Sequence, residues 1–486
     1  MLKRRLCCQF SCRITPRSWF RGAVIAALCL FVAFVRPDVA WNAEPAASGT
    51  LPVVHGAIAA DTTWEGRLLV DDMVTVKSGV TLTIRPGTEI GFTPPAGLTV
   101  QGVLRAEGTT EKPIAFVSAT AGSERWSGIT LGNAAVPSVL RSCRISGAKT
   151  IEIGGEVEHR VETCEISGGV VGVSVSGPNS RPVLKGNRLA DMSEAGIQCL
   201  LKAVPVVADN VLERCRVGIS AQSGAAPEIR GNRISDCEGG IEVVQAPLRI
   251  SGNTVTGCGR GIALSSITGG EPVRGNRLEG NETGILCLQS ASPEIAENVV
   301  VKNKEGIACV RHSQPLLRAN DILDNETGII CNQFSDATIS ANTIARNGRG
   351  IFLTLSSFAV IHGNNLEDNK IQVESFRMSL AYERTGTDKT VRGRLQQNKV
   401  QVERGIAAPL ATKDDGFDLG GASLDLSGNW WGEATTREME EKGPDANIAG
   451  INDGYDLPLV DNYPQEKIVY APWAKQRIAA TGVPAR

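Results

Sequence analysis

The sequence predicts an all-β chain folded as a parallel β-helix, a single solenoid whose coils are about 22 residues long. Three observations predict it. An Asn returns at that period, three apolar columns keep step with the Asn, and within each coil the apolar residues alternate in and out with no helical stripe.

The chain opens with a segment that stands apart from the repeat. Its first 22 residues carry Lys3, Arg4, Arg5, Arg13, Arg17 and Arg21 and no acid, and lead into the apolar run AVIAALCLFVAFV at 23 to 35. That is the layout of a secretory signal. Its 13 apolar residues fall short of the roughly 20 that a membrane span needs. Residues 1–43 are therefore expected to be signal peptide and the start of the mature chain. The following WNAEPAAS places Trp41 or Pro45 three residues before the favoured cuts, and Cys29 lies inside the apolar run. The mature chain is expected to be extracytoplasmic (periplasmic, cell surface or secreted), with membrane contact through the signal alone.

Composition narrows the partners. With 50 basic and 52 acidic residues the net charge is -2, which gives no electrostatic reason to expect nucleic acid or an anionic membrane surface. Glycine is abundant at 53 residues and aromatics make up 5%. A monomer is expected, and repeat folds of this length run as one body.

The repeat occupies the middle of the chain. Asn187, Asn210, Asn232, Asn253, Asn276, Asn298, Asn320, Asn342 and Asn364 are separated by 21 to 23 residues. Three positions before each stands Leu, Val or Ile, as in Leu317, and two positions after it another, as in Ile322. A third column holds Ile197, Ile219, Ile241, Ile262, Ile285, Ile307, Ile329, Ile351 and Ile371, and Gly precedes eight of these nine. In GIIC at 328–331, Ile329 and Cys331 share one face and Ile330 the other, the period of a strand. Each coil is thus read as about three short strands joined by turns, with the repeated Gly, Gly328 in this coil, at a turn of positive φ. Pro227, Pro293 and Pro315 suit points where the chain enters a strand or turns. Coils pairing in parallel would stack identical side chains about 4.8 Å apart, so about 14 rungs would span roughly 65 Å. A leucine-rich repeat shares the period and an Asn column, but here Ile and Val replace Leu and nothing in the coil reads as a helix.

At this level the chain resembles the bacterial right-handed parallel β-helix proteins of the pectin-lyase-like superfold. VTVKSGVTLTIRPGTEIGF, LTVQGVLRAEGTTEKPIAFVS and RWSGITL are similar to the opening coils of secreted members, and SGNWWG at 427–432 with KIVYAPW at 467–473 to their closing segment. The likeness covers roughly residues 51–475 and implies a right-handed helix closed beyond Trp430 and Trp431. It implies little about function, since that architecture hosts lyases, hydrolases, epimerases, adhesins and metal-loading factors. Residues 51–135 read as N-terminal coils and cap, 136–374 as regular coils, 375–432 as irregular coils with insertions, and 433–486 as the C-terminal cap. The Asn column extends back through Cys143 and Cys164 and forward through Asn398 and Asn429, and 375–397 and 403–423 read as loops leaving the coil.

Several constellations compete with architecture. NET at 281 and 325 matches a glycosylation acceptor, yet Asn281, Asn303, Asn325, Asn347 and Asn369 form a second column continuous with Cys215, Cys237 and Cys258. Stacked amides in a turn explain that column better than an exposed acceptor. The mature chain has nine Cys, with Cys287, Cys309 and Cys331 in one column, and these read as buried free thiols. The periplasmic NosD-like proteins, a related group associated with copper delivery to nitrous oxide reductase, make copper loading one reading. Against it, His55, His159, His312 and His362 share no column and Met is sparse. Polysaccharide lyase or glycoside hydrolase is the main alternative, but Asp191, Asp236, Asp324 and Asp368 alternate in their column with Arg214, Lys302 and Arg346. A pair two rungs apart, such as Asp191 and Asp236, meets a hydrolase spacing almost anywhere on such a fold and says little. No catalytic residue is assigned. Asp414, Asp415 and Asp418 could hold calcium, but a solvated acidic loop explains them better, so no cofactor is expected. One polar stripe remains for a ligand: Gln245, Gln289, Arg311 and Gln333, with Phe334 and His312 adjacent. The function read from the sequence is a non-catalytic scaffold that binds polysaccharide or another envelope component.

Overall fold

The computed structural model describes residues 51–120, 124–354, 357–376, 424–456, 459–460, 463–464, 467–479 and 481–483. Within them the chain is a parallel β-solenoid. One coil runs through Leu316–Arg318, Asp321–Leu323 and Thr327–Asn332, and its neighbours repeat those strands in register. The first kind of strand builds a 14-stranded parallel sheet, which matches the expected number of rungs. The second and third kinds belong to a 29-stranded sheet, united where the long strand Arg67–Val76 pairs with both Glu89–Phe92 and Gly97–Val100. These three faces are called the first, second and third below.

The core is the stack of inward columns. Leu317, Ile322, Ile329 and Cys331 are fully buried, and the same positions are buried coil after coil. Each such Ile contributes about 1.5–3 kcal/mol through the apolar surface it removes from water. Near the N-terminal end the filling becomes aromatic, with Phe92 stacked on Trp126 at 4.1 Å between ring centroids.

Two turns of the coil are held by side-chain amides. Asn320 accepts from the Asn298 N–H and Nδ2, both at 3.0 Å. Its own Nδ2 donates to the Asn342 Oδ1 at 2.9 Å and to the Ile295 and Arg318 carbonyls. The same bonds join every member from Asn187 to Asn364. The second ladder repeats the device, Asn325 linking Asn303 to Asn347. Asn281 and Asn325 are buried, so neither NET segment presents its amide to solvent.

Four details depart from the sequence reading. The Gly of the third strand is not a turn residue of positive φ: Gly328 lies inside Thr327–Asn332, and a Cβ there would stand 2.6 Å from the Gly350 carbonyl oxygen of the next coil. Left-handed backbone falls instead on the column of Asp191, Arg214, Asp236, Lys302, Asp324, Arg346 and Asp368, with φ of 50 to 60°. The last Ile of the third column is replaced by Val373, which pairs with Ile351; Ile371 pairs with Arg349 and faces outward. Finally, Asn364 bonds directly to Asn429, and Asn398 lies outside the described residues. The segments 377–397 and 403–423 also lie outside them, whereas Ser375 and Phe376 remain in the strand Ile371–Phe376.

The C-terminal end is closed by a helix that the alternating pattern did not foretell, Gly432–Lys442, which buries Met439. Trp431 is fully buried beneath it, and Ile451–Asn452 pairs with the final long strand. A terminal rung is a row of unpaired strand groups, and this cap covers it. Gln372 takes the Gly position of that coil, where its Oε1 accepts from Asn369 Nδ2 and ends the second ladder. The tail then returns along the second face, with the Ile478 N–H donating to Asn365 Oδ1 and Gly482 N–H to the Ala341 carbonyl.

Two substitutions test this architecture. Asn320→Ala strips partners from buried groups on both neighbouring coils at about 1–3 kcal/mol each; denaturant melts are expected to show a loss of about 3 kcal/mol or more. Gly328→Ala is expected to destabilise severely because the neighbouring carbonyl must move. Gly363→Ala, at φ 65° with open space around its Cβ position, is expected to cost only the left-handed strain of about 1–2 kcal/mol. Equal losses at both glycines would contradict the steric account.

Candidate functional site

Side chains released from the core have three faces and the turns between them. The turn leaving the third face begins with left-handed pairs, Gln289–Ser290, Arg311–His312 and Gln333–Phe334. The Ser290 N–H donates to the Arg311 carbonyl and the His312 N–H to the Gln333 carbonyl, each at 3.0 Å. This backbone shape turns Gln289, Arg311 and Gln333 out to solvent on three successive coils. Gln245 is in the same turn column, but Ser266 occupies the coil between it and Gln289. The contiguous stripe is therefore shorter than the sequence suggested.

Rings support this edge. His312 and Phe334 lie parallel, with centroids 5.2 Å apart and 6° between planes. Below them is a ladder the sequence reading missed: the Ser313 N–H donates to Ser335 Oγ, and the Ser335 N–H to Ser357 Oγ. Its signal was the step of 22 between three serines. His159 serves the same way nearer the N-terminus, its Nδ1 accepting from the Ser138 N–H and its Nε2 donating to the Gly132 carbonyl. Burial lowers its pKa.

Beside the stripe, the outer surface of the third face is apolar in one register column: Leu286, Ala308, Ile330 and Phe352. The Arg349 guanidinium sits 4.5 Å over the Phe352 ring centroid and pairs with Glu374 at 3.0 Å. An apolar strip thus runs alongside a row of amide and guanidinium donors.

Two acids of the left-handed column are paired with Arg on the next coil. Asp191 is bound by both Nε and Nη2 of Arg214 at 2.7 and 2.9 Å, and Asp324 likewise by Arg346 at 2.8 and 2.9 Å. The Arg346 hydrogen bonds hold the Asp324 carboxyl below its usual range. Such pairs tie coil to coil in the left-handed column. Among the described residues no group of three or more His, Cys, Asp or Glu is placed to hold a metal ion. Asp414, Asp415 and Asp418 lie outside those residues.

All nine Cys of the solenoid are buried and free. Cys287, Cys309 and Cys331 stack in register inside the core. Burial pushes the Cys199 thiol up to about 12 and raises that of Cys287. Native protein is expected to leave these thiols unlabelled by a disulfide reagent until denaturant is added. A thiol whose pKa is raised by folding stabilises fully below the unfolded value near 8.5. That stability is lost as pH rises towards the folded value. Unfolding titrations are therefore expected to show stability falling from about pH 8.5 upward, and less steeply in Cys199→Ala.

Known proteins resemble this chain at two levels. A family model described as periplasmic copper-binding protein (NosD) matches residues 249–379, and one described as right handed beta helix region matches residues 121–278. No curated protein matches. Among solved structures, a mutant of the periplasmic alginate epimerase AlgG is 15% identical, covering 61% of this chain and 77% of that one, with a TM-score of 0.40. A second AlgG mutant is 14% identical over 63% and 74%, with a TM-score of 0.37. An alginate lyase from Paenibacillus is 12% identical over 60% and 93%, with a TM-score of 0.19. The chain is a right-handed β-helix carrying a NosD-like stretch, and that stretch contains the stripe of Gln289, Arg311 and Gln333.

Proposed function

We propose that this protein is an extracytoplasmic β-helix scaffold that binds a polysaccharide or another cell-envelope component without breaking it. One observation carries the proposal: Gln289, Arg311 and Gln333 stand on three successive coils beside an apolar strip and a His312–Phe334 stack. A sugar ring has an apolar face and a rim of hydroxyls. The strip suits the first, and the amides and guanidinium suit the second. Coils about 4.8 Å apart repeat the contact along an extended chain.

The basic, apolar start of the chain and the periplasmic description of the matching family support that location. No helix among the described residues is long and apolar enough to cross a membrane. The protein acts as a monomer in this reading and uses no cofactor.

Copper handling is the second reading, favoured by the description of the matching family. The side chains of that stretch fit it poorly. Cys287 and Cys309 are sealed in the core with raised thiol pKa values, and a metal ligand must be thiolate. His312 lies in a turn and His362 in a strand of the first face.

Titration of the purified protein with a panel of neutral and acidic glycans is expected to show binding that Arg311→Ala or Gln333→Ala weakens, by roughly tenfold if each removes about 1.4 kcal/mol. The same mixtures are expected to yield no unsaturated or shortened products. Turnover of any panel member would replace the scaffold with a lyase or hydrolase, and stoichiometric copper uptake would move the reading to metal handling.

A further inference from the structure

The outer surface of the first face carries a pattern with twice the period of the fold. In one unbroken register column, Lys185, Arg230, Arg274 and Arg318 fall on every second coil, with Ala208, Ser251 and Ala296 between them. The alternation starts at Arg141, which is clamped between Glu107 and Glu162, and continues through Ser340 to His362. Two coils are about 10 Å along the axis. Core packing does not require this, because outward positions of the other faces mix charges and apolar groups freely.

The small residues have a consequence. Ala208 and Ala296 face outward and are nonetheless inaccessible, while Lys185, Arg230, Arg274 and Arg318 are exposed. The long side chains that flank the Ala positions carry their charges to the surface at a fixed interval. At Ser251, between Arg230 and Arg274, the surface drops into a cleft of about 280 Å³ whose lining includes Arg249, Glu228 and Glu271.

Carboxylates are present, and they are unevenly placed. Glu228 pairs with Arg230 at 2.7 Å, Glu271 with Arg249 at 3.0 Å, and Glu294 with Arg318. Asp209 stands 4.0 Å from Lys185. Among the described residues Arg274, at the edge of the cleft, has no carboxylate partner. A guanidinium offers five N–H donors, so one flanking acid orients it and leaves donors for a second anion.

We propose that this column is a binding face for an extended acidic glycan that presents a carboxylate on the same side at every second sugar. A backbone with two sugars per turn does so at a repeat of about 10 Å, the distance between cationic coils. Arg guanidinium meets planar carboxylate in a two-pronged geometry, which favours a uronate. The inference rests on the glycan-binding reading above and adds to it a face that reads charge, separated from the Gln289, Arg311 and Gln333 edge by part of one turn.

The test uses the full mature chain, β-(1→4)-linked glucuronic acid oligomers as the probe, and neutral cello-oligosaccharides of equal length as the control, with affinities measured by calorimetry at low and high salt. Glucuronan is expected to bind more tightly than the neutral oligomer and to weaken as salt screens the contact. Arg274→Ala is expected to weaken glucuronan binding about tenfold and leave neutral binding unchanged. The pair Arg230→Ala and Arg318→Ala should remove the preference. Glu228→Gln should tighten glucuronan binding by freeing donors on Arg230, an outcome that a purely structural ion pair would not give. Arg233→Ala, on the second face, should change nothing. The proposal is overturned if glucuronan binds no better than the neutral oligomer at low salt, or if Arg274→Ala leaves its affinity intact. Loss through Arg311→Ala alone would overturn the charged column and keep the glycan role; loss through Arg274→Ala with Gln333→Ala silent would keep the column and retire the turn edge.

Discussion

The structure depends on a buried amide that serves two coils at once. Asn is short enough to fit the turn, accepts through Oδ1 from the coil before, and donates through Nδ2 to the coil after. An Asp in that place could not donate, and a Ser reaches one neighbour only. Leaving those turn groups unpaired in the interior would cost more than the hydrogen bonds gain. The amide therefore fixes the register of every neighbouring column, and the side chains of one coil land directly on those of the next.

Where an amide neighbour is missing, the chain changes chemistry rather than register. Cys143 and Cys164 begin the first ladder, their thiols meeting the Ala106 and Leu140 carbonyls while the Cys164 N–H donates to Asn187. Asn429 picks up the ladder after Asn364 from far along the chain, and Gln372 finishes the second one. These ends show how a periodic structure terminates. At the last places the amide donors turn to backbone carbonyls at the end of the stack, Asn429 Nδ2 to Ile361 and Leu426 and Gln372 Nε2 to Trp431.

Periodicity also explains what was legible in the sequence. The Asn ladders, the apolar columns and the buried Cys all answer to a constraint repeated from coil to coil, so repeated copies of one signal made them plain. Gly328 was placed correctly in the repeat and explained wrongly, because crowding by the Gly350 carbonyl exists only between coils and leaves no trace in the local pattern. Ile371 looked like the next member of its column since it is an Ile at nearly the right step; Val373 holds the position because spacing, and not residue type, decides register. The cap helix was invisible for the opposite reason, being a single copy with no repeat behind it. Outward positions were the least legible of all. The alternation of Arg230, Ser251, Arg274, Ala296 and Arg318 spans two coils, and a search at one coil averages it away.

Function on such a scaffold is limited by the same regularity. Asp191 and Asp324 each face an Arg on the next coil, so at these two places in the left-handed column the solenoid neutralises its own acids. What regularity does supply is repetition at a fixed interval. An extended polymer held at one coil is already positioned over the next, and each further contact forms at a high effective concentration, so affinity accumulates from contacts that are individually weak. The requirement is commensurate spacing. A polymer whose groups drift out of step with the rungs gains nothing after the first contact, whereas one in step gains at every coil, and a rigid ladder of amides keeps the rungs in step.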